Sequence, residues 1–89
     1  MADWNVYILW SLKSPRTYTG ISENIDRRCQ QHNAGKVSST KKYMPWKIIY
    51  SECAGAHGNA LKREKYYKSS DGRRKLKLLL ESLKEEKKL

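Results

Sequence analysis

The sequence predicts a small domain of the α/β (α+β) class, in which a three-stranded antiparallel sheet is flanked by helices. Its 89 residues allow one such domain with a thin core. Three short segments rich in β-branched and aromatic residues, and three with apolar residues at helical spacing, predict the order β-β-α-β-α-α. We expect a single domain over residues 1–84, followed by a frayed charged tail at 85–89.

The first two strands are predicted from side-chain alternation on either side of a turn. Residues 5–10 read Asn-Val-Tyr-Ile-Leu-Trp, and successive side chains of such a strand face opposite sides of a sheet. Ser14-Pro15 marks a turn, and residues 16–21 are rich in β-formers, which predicts a hairpin. Gly20 inside the second strand indicates a bulge or a close backbone approach.

The first helix is predicted to start after Ser22, a good N-cap residue, and to run to about Asn33 before Gly35 ends it. Four of its residues share one face: Ile25, Arg28, Cys29 and His32. Two polar side chains therefore point towards the sheet together with two apolar ones.

A basic loop over residues 35–45 leads to a predicted third strand at 46–53. Gly55 and Gly58 are expected to bracket the next turn. A second helix follows over about residues 59–68. Its apolar stripe comprises Ala60, Leu61 and Tyr67, with Glu64 on the same stripe. An inward-facing carboxylate needs a partner, because burial of a lone charge costs several kcal/mol.

The last helix is predicted to be capped by Ser70 and Asp71. Four leucines recur along it at helical spacing: Leu76, Leu79, Leu80 and Leu83. This Leu76–Leu83 stripe is interpreted as core or as a surface for a protein partner.

The charge of the chain indicates an anionic partner. Lys and Arg number 19 and Asp and Glu number 9, a net charge of +10, and the excess is shared by residues 1–60 and 61–89. Such a balance favours nucleic acid or an anionic membrane. The chain has no apolar run of about 18 residues, so we expect no membrane span. Cys29 and Cys53 are expected to be reduced thiols of a cytoplasmic monomer.

Four polar side chains are directed inward by periodicity: Arg28, His32, Glu64 and a strand tyrosine, either Tyr7 or Tyr18. On a basic protein this group suits phosphodiester chemistry. Arg forms a planar fork on phosphate, and one Glu can hold Mg²⁺ together with waters and substrate phosphates. Tyr or His can take a proton from the attacking water.

The same residues resemble the signature of GIY-YIG nucleases. Val6-Tyr7-Ile8 and Tyr18-Thr19-Gly20 resemble its paired motif, and Arg28 and His32 follow with the spacing of its first helix. Ala60-Leu61-Lys62-Arg63-Glu64 looks like its metal-binding helix. The segment 31–36 is similar to short single-domain bacterial members related to the amino-terminal nuclease domain of UvrC, which acts in DNA repair. The resemblance covers about residues 4–80.

The resemblance implies five catalytic residues: Tyr7, Tyr18, Arg28, His32 and Glu64. Glu64 is implied to bind a single Mg²⁺ or Mn²⁺ ion, and Arg28 to brace the scissile phosphate. Three side chains are implied to surround the attacking water, and we favour Tyr18 as its base because it lies beside Gly20.

The implied activity is a metal-dependent endonuclease that cleaves DNA by structure or damage rather than by sequence. Gly20, Lys36, Lys41 and Lys42 are the candidate contacts with the nucleic acid. The alternative is a non-catalytic nucleic-acid-binding module on the same scaffold, which the lack of an Asn after Asn59 favours.

The candidate residues also admit purely structural roles. Tyr7 and Tyr18 can be cross-strand packing partners. His32 can be a cation that is stabilised by the negative end of the helix dipole, since it lies near the C-terminus of its helix. Arg28 and Glu64 can form a buried salt bridge without chemistry.

Overall fold

The computed structural model describes residues 3–87 and confirms the predicted fold class. The elements are β1 (Trp4–Ser11), β2 (Thr17–Ser22), α1 (Ile25–Asn33), β3 (Trp46–Gly55), α2 (His57–Lys68) and α3 (Ser70–Glu85), with a short 3-10 turn at Lys41–Tyr43. The three strands form one antiparallel sheet in the order β2-β1-β3.

β1 lies at the centre of the sheet and is buried on both faces. Val6 and Ile8 enter one core, and Tyr7 and Leu9 enter the other. The alternation of side chains along one strand thus supplies two cores, each covered by helices. This explains why nearly every residue from 6 to 9 is large and apolar.

α2 and α3 cover the face that carries Val6 and Ile8, where Tyr67 and Leu76 complete the core. The two helices approach each other closely at Gly72, where an added Cβ would lie 2.0 Å from the carbonyl oxygen of Tyr66. Only glycine fits there, because backbone atoms cannot move aside as a flexible side chain can.

α1 covers the opposite face through Ile25 and Cys29, which pack near Trp46. The end of α1 is tied to β3 by the side-chain amide of Asn33. Its oxygen accepts a hydrogen bond from the Trp46 backbone nitrogen at 2.6 Å, and its nitrogen donates to the Trp46 carbonyl at 3.0 Å. Both orphan groups of the strand end are therefore satisfied.

Three predicted cap and turn positions are corrected. The N-cap of α1 is Asn24, whose side chain accepts from Arg27, and not Ser22, which bonds Asn24 in the turn before it. α3 is capped by Ser69, one residue before the predicted cap. Gly58 lies inside α2, so the turn after β3 rests on Gly55, with φ of +75°.

The apolar stripe of α2 is narrower than predicted. Ala60 and Tyr67 are buried, but Leu61 is 45% exposed. Position 61 follows position 60 by 100° around the helix, so the two cannot both face the sheet. On α3, Leu76 is buried and Leu79 packs against the same core, which assigns this part of the stripe to the interior.

Both cysteines are free thiols in the structure. No helix within residues 3–87 has the length and apolar character needed to cross a membrane. α3 ends at Glu85, and Lys88 and Leu89 of the expected tail lie outside the described residues. The predicted boundary between domain and tail stays a prediction.

Candidate active site

A chain of three buried side chains links β1, α1 and the basic loop. The Tyr7 hydroxyl lies 2.9 Å from His32 Nε2, and His32 Nδ1 lies 2.7 Å from the Thr40 hydroxyl. All three residues are at most 1% exposed. The predicted direction of Tyr7 and His32 into the protein is confirmed, and Thr40 joins them from a loop with no helical or strand pattern.

The partners of Thr40 define the direction of the hydrogen bonds. Its hydroxyl donates to the Val37 carbonyl at 3.2 Å, so it accepts from His32 Nδ1–H. His32 Nε2 then carries the lone pair, and the Tyr7 hydroxyl donates to it. The Trp46 indole nitrogen donates to the Thr40 carbonyl at 3.0 Å, which fixes the loop in this position.

Burial keeps both rings uncharged at neutral pH. It raises the pKa of Tyr7 to about 12, against the opposing effect of the nearby Arg28 guanidinium. Burial also lowers the pKa of His32 to about 4, and the positive charge of Arg28 acts in the same direction. A neutral imidazole carries no charge to interact with the negative end of the helix dipole, so the interpretation of His32 as a terminal cation is wrong.

Gly20 makes room for the Tyr7 phenol. The two residues are paired across β1 and β2, and a Cβ on Gly20 would lie 2.5 Å from the Tyr7 hydroxyl oxygen. The β1–β2 register runs without a bulge, so close approach is the correct one of the two predicted reasons for this glycine. The group that lies close to Gly20 is the Tyr7 side chain. The predicted contact between Gly20 and a phosphate stays a prediction.

Tyr18 completes an aromatic group with Tyr7 and His32. Its ring centroid lies 4.8 Å from that of His32 and 6.3 Å from that of Tyr7. Tyr18 is half-buried, and within residues 3–87 its hydroxyl has no hydrogen-bond partner. The two tyrosines do pack as diagonal neighbours, but only Tyr18 leaves its hydroxyl free for another molecule.

Arg28 and Glu64 reach the same region from different helices. Arg28, half-buried on α1, donates to Gln31 at 2.9 Å and also lowers the pKa of Tyr7. The charge of Glu64, from α2 on the other face, acts on Tyr7 in the opposite direction. Over the described chain the two form no salt bridge with each other, so the interpretation as a buried ion pair is wrong.

Glu64 is suited to bind a hard cation that the substrate also holds. Its side chain is 24% exposed, and its carboxylate lies 3.7 Å from the Lys68 ammonium one turn further along α2. No group of three or more His, Cys, Asp or Glu that could hold a metal exists among residues 3–87. One accessible carboxylate fits Mg²⁺, which keeps several waters and uses substrate phosphates as further ligands.

The predicted lysine contacts lie on the surface around this cluster. Lys36 is exposed after the end of α1. Lys41 and Lys42 are exposed in the 3-10 turn that directly follows Thr40. The bond between Thr40 and His32 therefore connects the basic loop to the site.

A second polar cluster, which the sequence patterns do not predict, joins β3 to α2. Glu52 on β3 accepts from Arg63 Nε at 2.7 Å and from Tyr50 at 3.1 Å, and Tyr67 donates to it as well. These hydrogen bonds, that from Arg63 above all, lower the pKa of Glu52 to about 2. The cluster holds the turn of α2 that carries Glu64. The alternation of β3 and the helical spacing of α2 bring these residues together, but neither pattern shows it alone.

Comparison with known proteins identifies relatives that cover most of the chain. The family model described as GIY-YIG catalytic domain matches residues 3–77. A UPF0213 protein of Staphylococcus haemolyticus is 35% identical over 82 residues, 91% of this chain and 99% of the relative.

UPF0213 proteins of two other organisms are similarly close. The protein of Syntrophus aciditrophicus is 37% identical over 76 residues, which cover 83% of this chain and 86% of the relative. That of Photorhabdus laumondii is 36% identical over 79 residues, covering 88% and 75%. No solved structure shows significant similarity to the chain.

Proposed function

The chain belongs to the GIY-YIG family, a nuclease superfamily, and on that premise we propose that it is a metal-dependent endonuclease of DNA. The observation that carries the proposal is the cluster of Tyr7, Tyr18 and His32, together with the electrostatic influence of both Arg28 and Glu64 on Tyr7. β1 and β2 supply the two tyrosines, and helices on opposite faces of the sheet supply Arg28, His32 and Glu64. Arg28 and Glu64 form no salt bridge with each other, although both influence Tyr7.

The chain's own residues support phosphodiester hydrolysis in distinct ways. The Arg28 guanidinium is placed to neutralise the scissile phosphate, whose oxygens gain charge in the transition state. Glu64 would hold the Mg²⁺ or Mn²⁺ ion, which supplies electrostatic stabilisation of the same charge. The hydrogen bonds of His32 keep Tyr7 and the aromatic group in one orientation.

Tyr18 is proposed as the group that takes a proton from the attacking water. Its hydroxyl has no partner within residues 3–87 and the residue is half-buried, whereas Tyr7 is buried and its hydroxyl already donates to His32. A general base must lie within hydrogen-bond reach of the water, which the free hydroxyl satisfies better.

The substrate is proposed to be DNA recognised by structure or damage, in the cytoplasm. The support is the +10 charge, spread over both halves of the chain, which favours contacts with backbone phosphates over contacts with bases.

A cleavage assay with added Mg²⁺ or Mn²⁺ tests the proposal. The substrates are single-stranded, duplex, nicked, branched and damaged DNA. We expect metal-dependent cleavage that Glu64→Gln abolishes while the protein stays folded, because an amide is a poor Mg²⁺ ligand. Glu81→Gln, which removes an exposed acid of α3, is the matched control and should cut normally.

The opposite result would favour the alternative function. If wild type binds DNA but cuts no substrate with either metal, the chain is a non-catalytic nucleic-acid-binding module. If Glu64→Gln cuts at the wild-type rate, the metal assignment is wrong.

A further inference from the structure

A cleft of about 290 Å³ opens between β2, the end of α2 and the start of α3. Its polar lining comes from Thr17 and Thr19 on β2, Lys68 on α2 and Arg73 on α3. Tyr67 and Leu76 form the apolar part of its wall. We call this space the β2–α3 cleft.

Thr19 brings a hydroxyl into the cleft that nothing else uses. Thr19 lies opposite Ile8 in the sheet and is 7% exposed, yet its side chain has no hydrogen-bond partner within residues 3–87. Every fully buried polar side-chain atom of that range does have a partner. The Thr19 hydroxyl is therefore open to solvent, and the cleft is the space that Thr19 lines.

The charge of the cleft is entirely positive. Lys68 and Arg73 line it, and no carboxylate does. Arg73 has no ion pair in the described part of the chain, whereas the next residue, Arg74, lies 3.5 Å from Asp71. A guanidinium, an ammonium and two hydroxyls around one space form the donor set that binds a phosphate group.

The cleft adjoins the candidate active site. Tyr18 lines it, and Lys68 is the residue that contacts Glu64. A phosphate in the cleft would therefore lie next to the scissile phosphate, which Arg28 and the ion held by Glu64 are proposed to contact.

We propose that the β2–α3 cleft binds the backbone phosphate next to the scissile one, with Arg73 and Thr19 as its positioning contacts. The proposal rests on the proposed nuclease function and adds to it the path of the strand along β2. Binding there would fix the register of the substrate over Tyr18 without reading any base.

The test is DNA binding without divalent metal, measured by fluorescence anisotropy of a labelled oligonucleotide over a range of salt concentrations. Arg73→Gln should weaken binding several-fold and reduce the slope of log K against log salt by about 1. Arg74→Gln removes the same charge from the neighbouring, ion-paired position and should change both quantities much less. Thr19→Val should weaken binding without a change of slope, because it removes no charge.

Equal losses in Arg73→Gln and Arg74→Gln would overturn the cleft as a subsite and leave the proposed function intact if wild type still cuts DNA. Absence of any binding by wild type at low salt would overturn the proposed function and the subsite together. Circular dichroism of each variant confirms that the comparison is made between folded proteins.

Discussion

At Gly20 one missing methyl group decides where the Tyr7 phenol can lie. The Cβ of any other residue would stand 2.5 Å from the phenol oxygen and 2.7 Å from the ring carbon that bears it. The Tyr7 ring is buried and hydrogen-bonded to His32, so it cannot move aside as the end of a flexible side chain can. The glycine of this motif is thus explained by a contact inside the protein.

Gly20→Ala should therefore displace the Tyr7 ring and break its bond to His32. We expect a loss of about 1–3 kcal/mol of stability from overpacking, measured by urea denaturation, and a much reduced cleavage rate. Gly58→Ala is the control, since a Cβ there meets nothing within 4 Å and should be neutral or stabilising by up to about 1 kcal/mol. Equal stability of the two variants would show that Tyr7 does not need this space.

The positions of the candidate site residues on their helices were predictable from the sequence, and the residues that support them were not. Arg28 and His32 follow from helical spacing, and Glu64 from its position one turn after Ala60. Thr40 carries no such signal, because it lies in a loop eight residues from His32 and becomes its partner only when the loop folds back. Hydrogen bonds between a loop and a helix leave no periodicity.

At the scale of the elements, the position of α2 depends on Glu52. The carboxylate joins β3 to Arg63 and Tyr67 on α2, one residue before and three after Glu64. The helix that carries Glu64 is thus tied to the sheet by hydrogen bonds as well as by apolar packing.

Glu52→Gln should cost roughly 2 kcal/mol at neutral pH, the usual size of hydrogen bonds to a charged group. The pKa of Glu52 is lowered from 4.5 to about 2, so the unfolded chain binds more protons between these values. The stabilisation is full above pH 4.5 and is lost as the pH falls towards 2. Urea midpoints measured from pH 2 to 7 should show this loss in wild type.

The same series in Glu52→Gln should lack the contribution from this window, because the amide does not titrate. Parallel curves for the two proteins below pH 4.5 would contradict the role assigned to Glu52.

The helix caps show how far local sequence rules extend. Ser22 and Asn24 are both good N-caps, and only Asn24 reaches Arg27 with its side chain once the strand has ended. The end of α1 was predicted correctly, because Gly35 has φ of +74° and few other residues adopt that conformation. The predicted caps of α1 and α3 were misplaced by two residues and one residue, because a second good cap residue lies close by in the sequence.

At the scale of the whole molecule, the sheet brings two helices to one edge. α1 on one face and α2 on the other both contact the strands that carry Tyr7 and Tyr18. The predicted order of elements was right, but the order alone does not tell which face of the sheet each helix covers. It follows from β1, whose alternate residues are apolar on both sides.

The net charge of +10 belongs to this scale as well, since both halves contribute. Affinity for DNA should fall steeply between low and moderate salt, with little difference between sequences of equal length. Competition titrations with several unrelated duplexes measure both properties. Salt-insensitive binding, or strong preference for one duplex, would contradict an interface made with phosphates.

The central claim is that the cluster at the β2 edge hydrolyses phosphodiesters with Tyr18 facing the attacking water. The most direct test is the single-turnover cleavage rate against pH, with metal saturating, for wild type, Tyr18→Phe and Tyr7→Phe. We predict that Tyr18→Phe loses at least about 100-fold in rate and the dependence on a basic group. If Tyr18→Phe instead keeps both while Tyr7→Phe loses them, the buried tyrosine is the base and the claim is contradicted.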